Sequence, residues 1–169
     1  MIPVYSELIS FHDNVAIARN VDFVTHDIIH SVLNHLPKEM KGGHRFRERV
    51  GCIEIMDNVM AGSNSVILYG TRIGPNVIVG SGSVVTKDLE PNGVYAGVPA
   101  RRIGPFDAFL QKRIEQENSG SCSTTVHNQA LTKEEIDAAW RFFYASHQDE
   151  AKPISATDSF TGNGESAGS

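Results

Sequence analysis

The chain has 169 residues, 40% of them hydrophobic, and a formal net charge of −5, which predicts one domain of ordinary size and argues against nucleic-acid binding. The first twenty residues carry Glu7, Asp13 and Arg19, so we expect neither a signal peptide nor a membrane span, and hence a cytoplasmic protein. Cys52 and Cys122 lie in unrelated contexts and predict no disulfide framework.

A six-residue period runs through residues 9 to 27 and resumes near residue 50. The first position of each hexad is apolar or aromatic: Phe11, Ile17, Phe23, Ile55, Ala61, Ile67, Ile73, Val79 and Val85. Three residues later comes Asn or Gly, which adopt positive φ at the lowest cost: Asn14, Asn20, Asn58, Asn64, Gly70, Asn76 and Gly82. A second position that can face inward follows: Val15, Val21, Val59, Ser65, Thr71, Val77 and Ser83.

This period excludes the two commoner regular structures. An amphipathic helix needs apolar residues at i+3, where this chain has Asn or Gly, and hairpin arrays switch at longer intervals. Short strands separated by corners, three to a coil, are typical of a parallel β-helix. We therefore predict an all-β fold whose first coil, with little chain before it, lacks a cap of its own.

The period stops after Asp27 and leaves residues 28–48 outside the coil. This excursion loop holds three histidines, several basic residues and Gly42-Gly43. Long loops are uncommon in compact domains unless they serve a function. Two interpretations stay open: a solvated flap, or a loop that helps to form an acceptor pocket.

His26 closes the last hexad before the excursion loop. A lone histidine near the end of a strand is more often structural than catalytic. Imidazole nevertheless titrates near neutral pH and suits the removal of a proton from an attacking hydroxyl or amine. A carboxylate would have to hold its other ring nitrogen, and Glu7 and Asp27 are the candidates.

Two helices are predicted after the coil. Pro105 suits a first helical turn, and an apolar stripe follows it at Phe106, Phe109, Leu110 and Ile114. Thr132 with Glu135 forms a capping box and Leu131 with Ile136 a hydrophobic staple, which predicts a helix from about Lys133 to Ser146. We expect a β-helix domain over 1–104, a helical extension over 105–147 and a disordered tail over 148–169.

Two motifs near the end of the period carry a family resemblance. Residues 81–88, SGSVVTKD, and residues 97–101, GVPAR, resemble the terminal coil of the hexapeptide-repeat acyltransferases, closest to sugar and polysaccharide O-acetyltransferases and to the galactoside, maltose and xenobiotic acetyltransferase branch. The resemblance implies a left-handed parallel β-helix. It also implies transfer of acetyl from acetyl-CoA to a hydroxyl or amine of a sugar, polysaccharide or nucleotide sugar.

The same resemblance implies residue roles. His26 would be the general base, and Asp27, His30 and His35 would bind the acceptor. Backbone groups near Ser63 and Ser81 would bind the pantetheine arm, and the nucleotide end would be flanked by Thr86, Lys87 and Arg101. We expect no metal. We also expect a homotrimer with active sites at the subunit interfaces, and direct transfer in a ternary complex, because no nucleophile motif is present.

Three alternatives stay open. One is a xenobiotic or antibiotic O-acetyltransferase. A second is a zinc enzyme like the γ-class carbonic anhydrases, for which imidazoles would come from His26, His30, His35 and His44; the Thr86-Lys87 pair and residues 97–99 would have no use there. The third is a scaffold that keeps the coil without activity.

Overall fold

The computed structural model describes residues 5–119 and 131–147. A short 3₁₀ helix at Ser6–Leu8 precedes the first strands, which are β1 (Ile9–Phe11), β2 (Ala16–Ile17), β3 (Asp22–Val24) and β4 (His26–Asp27). Helix α1 (Ile29–Leu33) is followed by β5 (Arg49–Val50), β6 (Ile53–Ile55), β7 (Val59–Ala61), β8 (Val66–Leu68), β9 (Thr71–Ile73) and β10 (Val77–Val79). The remaining elements are β11 (Val84–Val85), β12 (Gly93–Ala96), β13 (Arg101–Pro105), α2 (Phe106–Asn118) and α3 (Lys133–His147).

The chain visits three parallel sheets in rotation. Their strand orders are β1-β6-β9, β2-β7-β10-β12 and β3-β8-β11. Strands β6, β7 and β8 each pair in parallel with the strand three hexads further on, as in Ile53 with Thr71 and Val59 with Val77. This register explains the sequence period, because a residue and its counterpart three hexads later are neighbours across adjacent coils.

The predicted corners are confirmed. Asn58, Asn64 and Asn76 have φ of 57°, 59° and 57°, and Gly70 and Gly82 have φ of 72° and 70°. Side-chain amides at one corner are stacked into a ladder that runs from coil to coil. Along this asparagine ladder Asn14 Nδ2 donates to Asn58 Oδ1 at 2.7 Å, Asn58 to Asn76 at 2.9 Å, and Asn76 to Asn92 at 2.8 Å.

The inward positions form the core. From Ile55 to Val85 both sets of predicted inward residues are buried, and Ile53, Leu89, Tyr95 and Ala100 join them. The buried hydroxyls are satisfied across the corners: Ser65 Oγ donates to the Gly62 carbonyl at 2.7 Å and Thr71 Oγ1 to that of Leu68 at 2.7 Å. Ser and Thr therefore fit the second inward position without leaving an unpaired polar atom.

The first coil is less covered than the rest. Strands β1, β2 and β3 each lie at the edge of a sheet, and Phe11 and Ile17 are 49% and 39% exposed. Phe23 packs edge to face against Phe11, with ring centroids 5.5 Å apart, and lies against the core. Within the described residues, the first coil thus lacks a cap.

The excursion loop leaves and re-enters the coil through an antiparallel strand pair. His26 of β4 is opposite Val50 of β5, and Asp27 is opposite Arg49. The loop contains α1, and Asn34 ties its two halves together: its side-chain amide donates to the Phe46 carbonyl and its Oδ1 accepts from the Phe46 amide, each at 2.9 Å. The loop is therefore ordered by its own hydrogen bonds.

One sequence prediction near the end of the coil is wrong in detail. Pro105, expected in the first helical turn, is the last residue of β13, and α2 begins at Phe106. The reason is that β13 turns back and pairs antiparallel with β12, with Pro105 opposite Gly93. The stripe residues Phe109, Leu110 and Ile114 of α2 are exposed.

Chain contacts divide the molecule into two compact units, Met1–Arg113 and Ile114–Ser169. In the second unit, α3 begins with the predicted capping box: the Thr132 amide donates to Glu135 Oε2 at 2.8 Å, and the Glu135 amide to Thr132 Oγ1 at 3.2 Å. The tail predicted over 148–169 lies outside the described residues. In residues 5–119 and 131–147, no helix combines the length and apolar composition needed to cross a membrane.

Candidate active site

His26 lies in β4, where the coil gives way to the excursion loop. Its Nε2 lies 3.8 Å from Glu48 Oε1, beyond hydrogen-bond length but within ion-pair range. The His26 and Glu48 side chains are 26% and 33% exposed, so solvent can reach the imidazole. Pairing of β4 with β5 brings Glu48, from the far end of the loop, back to His26.

Tyr5 completes this group. Its ring meets the His26 ring edge to face at a centroid distance of 5.5 Å, and its hydroxyl donates to Glu48 Oε2 at 3.3 Å. The nearby Glu48 carboxylate raises the pKa of Tyr5, because a phenolate would be repelled by that charge. Tyr5 therefore stays a neutral donor that helps to fix the Glu48 carboxylate.

Asp27 is engaged by different partners from those expected. The Tyr69 hydroxyl donates to Asp27 Oδ2 at 2.5 Å, and the Ile29 amide donates to Oδ1 at 3.1 Å. The Tyr69 hydrogen bond is the main reason that the pKa of Asp27 lies below its ordinary value, helped by that amide and by the charge of Arg49. Asp27 is thus held as a carboxylate in a cationic setting. The carboxylate within ion-pair range of His26 belongs to Glu48, not to the predicted Glu7 or Asp27.

Two neighbouring cavities lie beside this group. The first, of about 350 Å³, is lined by the predicted residues Asp27 and His30 and by Tyr69, Arg47 and Arg49. The second, of about 530 Å³, is lined by His30, Arg47, Glu48 and residues between them in the loop. His30, Phe46 and Arg47 line both, so the two cavities adjoin.

The predicted His35 stands apart from these cavities. It is exposed, and its Nδ1 lies 2.5 Å from the Ser31 carbonyl within α1 and the turn that follows. It lines neither of the two cavities described above. The geometry gives His35 a local role in the loop.

The residues predicted for the nucleotide end share one cavity. Thr86, Lys87 and Arg101 line a space of about 870 Å³ at the last coil. Arg102 contributes a further cation, and Asp88 and Glu90 bring two carboxylates to the same wall. Arginine and lysine can bind phosphate oxygens, so the wall suits an anionic ligand at its cationic side.

Ser63 and Ser81 lie elsewhere on the coil. They are stacked at one corner in successive coils, where the Gly82 amide donates to the Ser63 carbonyl at 2.9 Å. Ser81 precedes β11 and Thr86 follows it, so the two serines and the nucleotide-end residues lie at opposite ends of this strand. The backbones are close here: a Cβ on Gly62 would lie 2.5 Å from the Ser81 nitrogen.

The histidines proposed for a zinc site are not assembled within one chain. Among residues 5–119 and 131–147, no group of three or more His, Cys, Asp or Glu side chains is placed to hold a metal ion. His26 instead faces Glu48 and Tyr5, and His35 is turned to α1.

The repeat itself has a family match. Residues 53–87 match the model described as "Bacterial transferase hexapeptide (six repeats)". The match covers 35 of the 169 residues of the chain. The matched residues of the hexapeptide repeat run from β6 to the Lys87 of the 870 Å³ cavity, and His26 and the excursion loop precede them.

Several curated proteins that are similar to this chain are acetyltransferases. The galactoside O-acetyltransferase of Escherichia coli (strain K12) is 43% identical over 96 residues, which is 56% of this chain and 43% of that protein. A 2,3,4,5-tetrahydropyridine-2,6-dicarboxylate N-acetyltransferase of Staphylococcus aureus (strain JH9) is 47% identical over 49 residues, 29% of this chain and 20% of that one. The chain therefore spans less than half the length of either relative.

Solved structures of the same kind are also similar. A galactoside acetyltransferase in complex with coenzyme A has a TM-score of 0.47 at 29% identity, covering 74% of this chain and 53% of that one. A mutant of AntD, an N-acyltransferase from Bacillus cereus, in complex with dTDP and coenzyme A, has a TM-score of 0.49 at 24% identity, covering 66% and 60%.

Sequence reasoning missed several residues around His26. Tyr5 and Glu48 lie outside the hexads, where no period indicates a neighbour. Tyr69 could have been predicted from the period. The register pairs Val24 with Leu68, so Tyr69, the next residue, lies close to the segment that contains Asp27. Arg47 is among the basic residues of the excursion loop, but the sequence does not indicate that Arg47 and Arg49 line a cavity.

Proposed function

We propose that this protein is an acetyl-CoA-dependent acetyltransferase that acetylates a hydroxyl or amine of a sugar, a polysaccharide or a nucleotide sugar. The observation that carries the proposal is the presence, on one hexapeptide-repeat coil, of an accessible imidazole paired with a carboxylate and a separate cation-lined cavity. The 43% identical relative named as a galactoside O-acetyltransferase supports the same chemistry.

In this mechanism His26 acts as the general base. Nε2 faces Glu48, so Nδ1 takes the proton from the acceptor hydroxyl or amine as its oxygen or nitrogen attacks the thioester carbonyl. The carbon–sulfur bond then breaks, and the coenzyme A thiolate leaves and takes up a proton. Glu48 stabilises the positive charge that forms on the imidazole, much as the carboxylate of a catalytic triad does. Tyr5 holds Glu48 in place.

The donor would be bound at the last coil. Lys87, Arg101 and Arg102 offer cations to the phosphates of coenzyme A from the 870 Å³ cavity, and the backbone near Ser63 and Ser81 would bind the pantetheine arm. The acceptor would enter the cavities beside Asp27 and His30. No metal is required by this scheme, since the base and the leaving thiolate account for the proton transfers.

We also propose that the coil is left-handed and that the active unit is a homotrimer. Exposed Phe11 and Ile17 in the first coil, and exposed Met60 and Val98 on later ones, support burial of coil surface against a neighbouring subunit. Three-sided coils suit threefold packing. Size exclusion with light scattering should then give about three times the chain mass of 18.4 kDa, and a stable, active monomer would contradict the trimer.

The test of the base is His26→Ala. We expect turnover to fall by about 10² to 10⁴, the usual contribution of a positioned general base, while acetyl-CoA binding and the unfolding midpoint stay close to those of the unaltered protein. A variant that keeps more than a tenth of the original kcat would rule out His26. Tight acetyl-CoA binding without turnover on any sugar or antibiotic would favour the scaffold.

A further inference from the structure

The excursion loop and its flanking strands are cationic in an acidic chain. Residues 27–50 contain five Lys and Arg residues against three Asp and Glu, although the whole chain has a net charge of −5. Three of the five cations, Arg45, Arg47 and Arg49, occur at alternate positions on the returning arm of the loop. Their side chains reach the two adjoining cavities beside His26.

Among the described residues, these arginines form no close ion pair. In the part of the chain that the structure describes, no carboxylate lies within 4.0 Å of the guanidinium group of Arg45, Arg47 or Arg49. Asp27 is opposite Arg49 in the strand pair. Its two carboxylate oxygens already accept hydrogen bonds from the Tyr69 hydroxyl and the Ile29 amide. The guanidinium donors are therefore available for a ligand.

One imidazole nitrogen in the walls of these two cavities has no hydrogen-bond partner among the described residues. His30 Nδ1 is buried and makes no hydrogen bond within the described residues, and His30 lines both cavities. Buried polar atoms are normally satisfied. An unpaired imidazole nitrogen in walls that also contain Arg47 adds a polar group to a cationic lining, and guanidinium groups bind oxyanions strongly.

The position of the cavities relates this pocket to the proposed chemistry. Glu48 lines the second cavity and lies 3.8 Å from His26. A molecule whose anionic group is bound by the arginines of the second cavity would thus have its remaining atoms near Glu48, the carboxylate that faces His26. Phe46 and Leu33 supply apolar wall to the first cavity, which suits the carbon face of a sugar ring.

We propose that the acceptor is an anionic sugar, whose phosphate or carboxylate group is bound by Arg45, Arg47 and Arg49 so that a hydroxyl or amine of the same sugar meets His26. This inference rests on the proposed acetyltransferase function and narrows its acceptor class. Arginine forks bind both oxyanions in bidentate fashion, so the experiment separates the two sources.

The first measurement is turnover, followed as release of free thiol from acetyl-CoA. Matched acceptors are glucose, glucose 6-phosphate and glucuronate, and galactose, galactose 1-phosphate and galacturonate. We expect kcat/KM for an anionic member to exceed that of its neutral parent by about 10- to 100-fold, the usual effect of charge-assisted hydrogen bonds. Preference for the phosphorylated or the carboxylated series identifies the group. Equal or better turnover of the neutral sugars would overturn the proposal.

The variants test the residues. Arg47→Gln, which alters a wall shared by both cavities, should lower kcat/KM for the anionic sugar at least tenfold more than it lowers kcat/KM for the neutral parent. Arg47→Lys should recover part of the loss. Lys112→Gln, in α2 and outside both cavities, is the matched control. Circular dichroism confirms that each variant is folded. An anionic preference that survives in the Arg45→Gln, Arg47→Gln, Arg49→Gln triple variant would overturn the proposal.

A binding measurement distinguishes failure of this inference from failure of the enzyme proposal. Calorimetric titration with glucose 6-phosphate and glucuronate, without acetyl-CoA, should show binding that Arg47→Gln weakens and Lys112→Gln does not. Such binding without thiol release would sustain the oxyanion pocket and refute the acetyltransferase. Thiol release with neutral sugars alone would support the acetyltransferase and refute the oxyanion pocket. A change of oligomeric mass in Arg47→Gln with unchanged acceptor preference would assign the arginines to a subunit contact and refute the pocket.

Discussion

Replacing Glu48 with Gln tests the electrostatic part of the proposed mechanism. The change keeps the shape of the side chain and removes its charge. Two unit charges 3.8 Å apart, the His26 to Glu48 distance, attract each other by about 1 kcal/mol at the dielectric constant of water and about 4 kcal/mol at the effective value of about 20 found near protein surfaces. Both side chains are partly exposed, so we take an intermediate value of about 1.5–3 kcal/mol.

That energy is gained mainly after the proton reaches His26, because a histidine that acts as a general base carries no net charge before it accepts the proton. We therefore expect Glu48→Gln to lower kcat by about 10- to 100-fold with little change in the KM for either substrate. Steady-state kinetics with saturating acetyl-CoA measures this. Glu48→Asp keeps the charge but places it farther from His26, so its kcat should lie between that of the unaltered protein and that of Glu48→Gln. Tyr5→Phe, which removes the 3.3 Å hydrogen bond to Glu48 and keeps the ring against His26, should have a smaller effect.

A kcat within twofold of the unaltered protein in Glu48→Gln would show that the carboxylate does not stabilise the imidazolium. The same holds if KM rises at constant kcat, since that pattern belongs to a residue that contacts substrate in the ground state. A lower unfolding midpoint, followed by circular dichroism, would indicate loss of loop structure, and Glu48→Asp then serves as the folded comparison.

Three further outcomes are expected. Lys87→Ala and Arg101→Ala should each raise the KM for acetyl-CoA by about three- to tenfold at nearly constant kcat, because an exposed contact contributes about 0.5–1.5 kcal/mol equally to ground and transition states; a fall in kcat alone would place them with the chemistry. Tyr69→Phe should raise the pKa of Asp27, now lowered chiefly by the Tyr69 hydrogen bond. The stabilisation from that depressed pKa is present above the ordinary carboxyl pKa and lost as pH falls through the native one, so the variant should lose less stability in acid; NMR titration of the carboxyl carbon that shows no change would contradict the assignment. Ile67 is fully buried, so Ile67→Ala should lower the free energy of unfolding, measured with urea, by about 2–5 kcal/mol and Ile67→Val by about 0.5–1.5 kcal/mol. Equal losses in the two variants would mean that the core is not closely packed at this position.

The coil could be predicted from the sequence because its geometry repeats. Every corner between Asn58 and Gly82 requires positive φ, and only Asn or Gly supplies it at low cost. Ile67 and Ser65 were assigned to the interior by the same period, and both are fully buried. The prediction does not extend beyond the last hexad. There β13 pairs antiparallel with β12, and the sequence contains no repeat that indicates this reversal of direction.

The surroundings of His26 were predicted only in part. Its place at the end of a hexad follows from the period, but Tyr5 and Glu48 are brought to it by the closure of the loop, which depends on pairing between β4 and β5. Pairs of residues so far apart in sequence leave no local signal. The roles of Ser63 and Ser81 came from family resemblance, and their stacking at one corner is compatible with a shared ligand along the coil.

The strand pair that closes the excursion loop makes the fold of the coil independent of the length and sequence of the loop. Ile9 of β1 pairs with Ile53 of β6 as though the intervening segment were one ordinary coil with an insertion, and the register on either side is unaffected by what β4 and β5 enclose. Closing a longer loop costs little, about 0.6 kcal/mol for each doubling of its length. Insertions, deletions and shuffled segments between residues 28 and 48 should therefore leave the coil folded, whereas a single-residue deletion between Asn58 and Asn76 would take the asparagine ladder out of register. Libraries that aim at new acceptors should vary the loop, keep Glu48 and leave the coil unchanged.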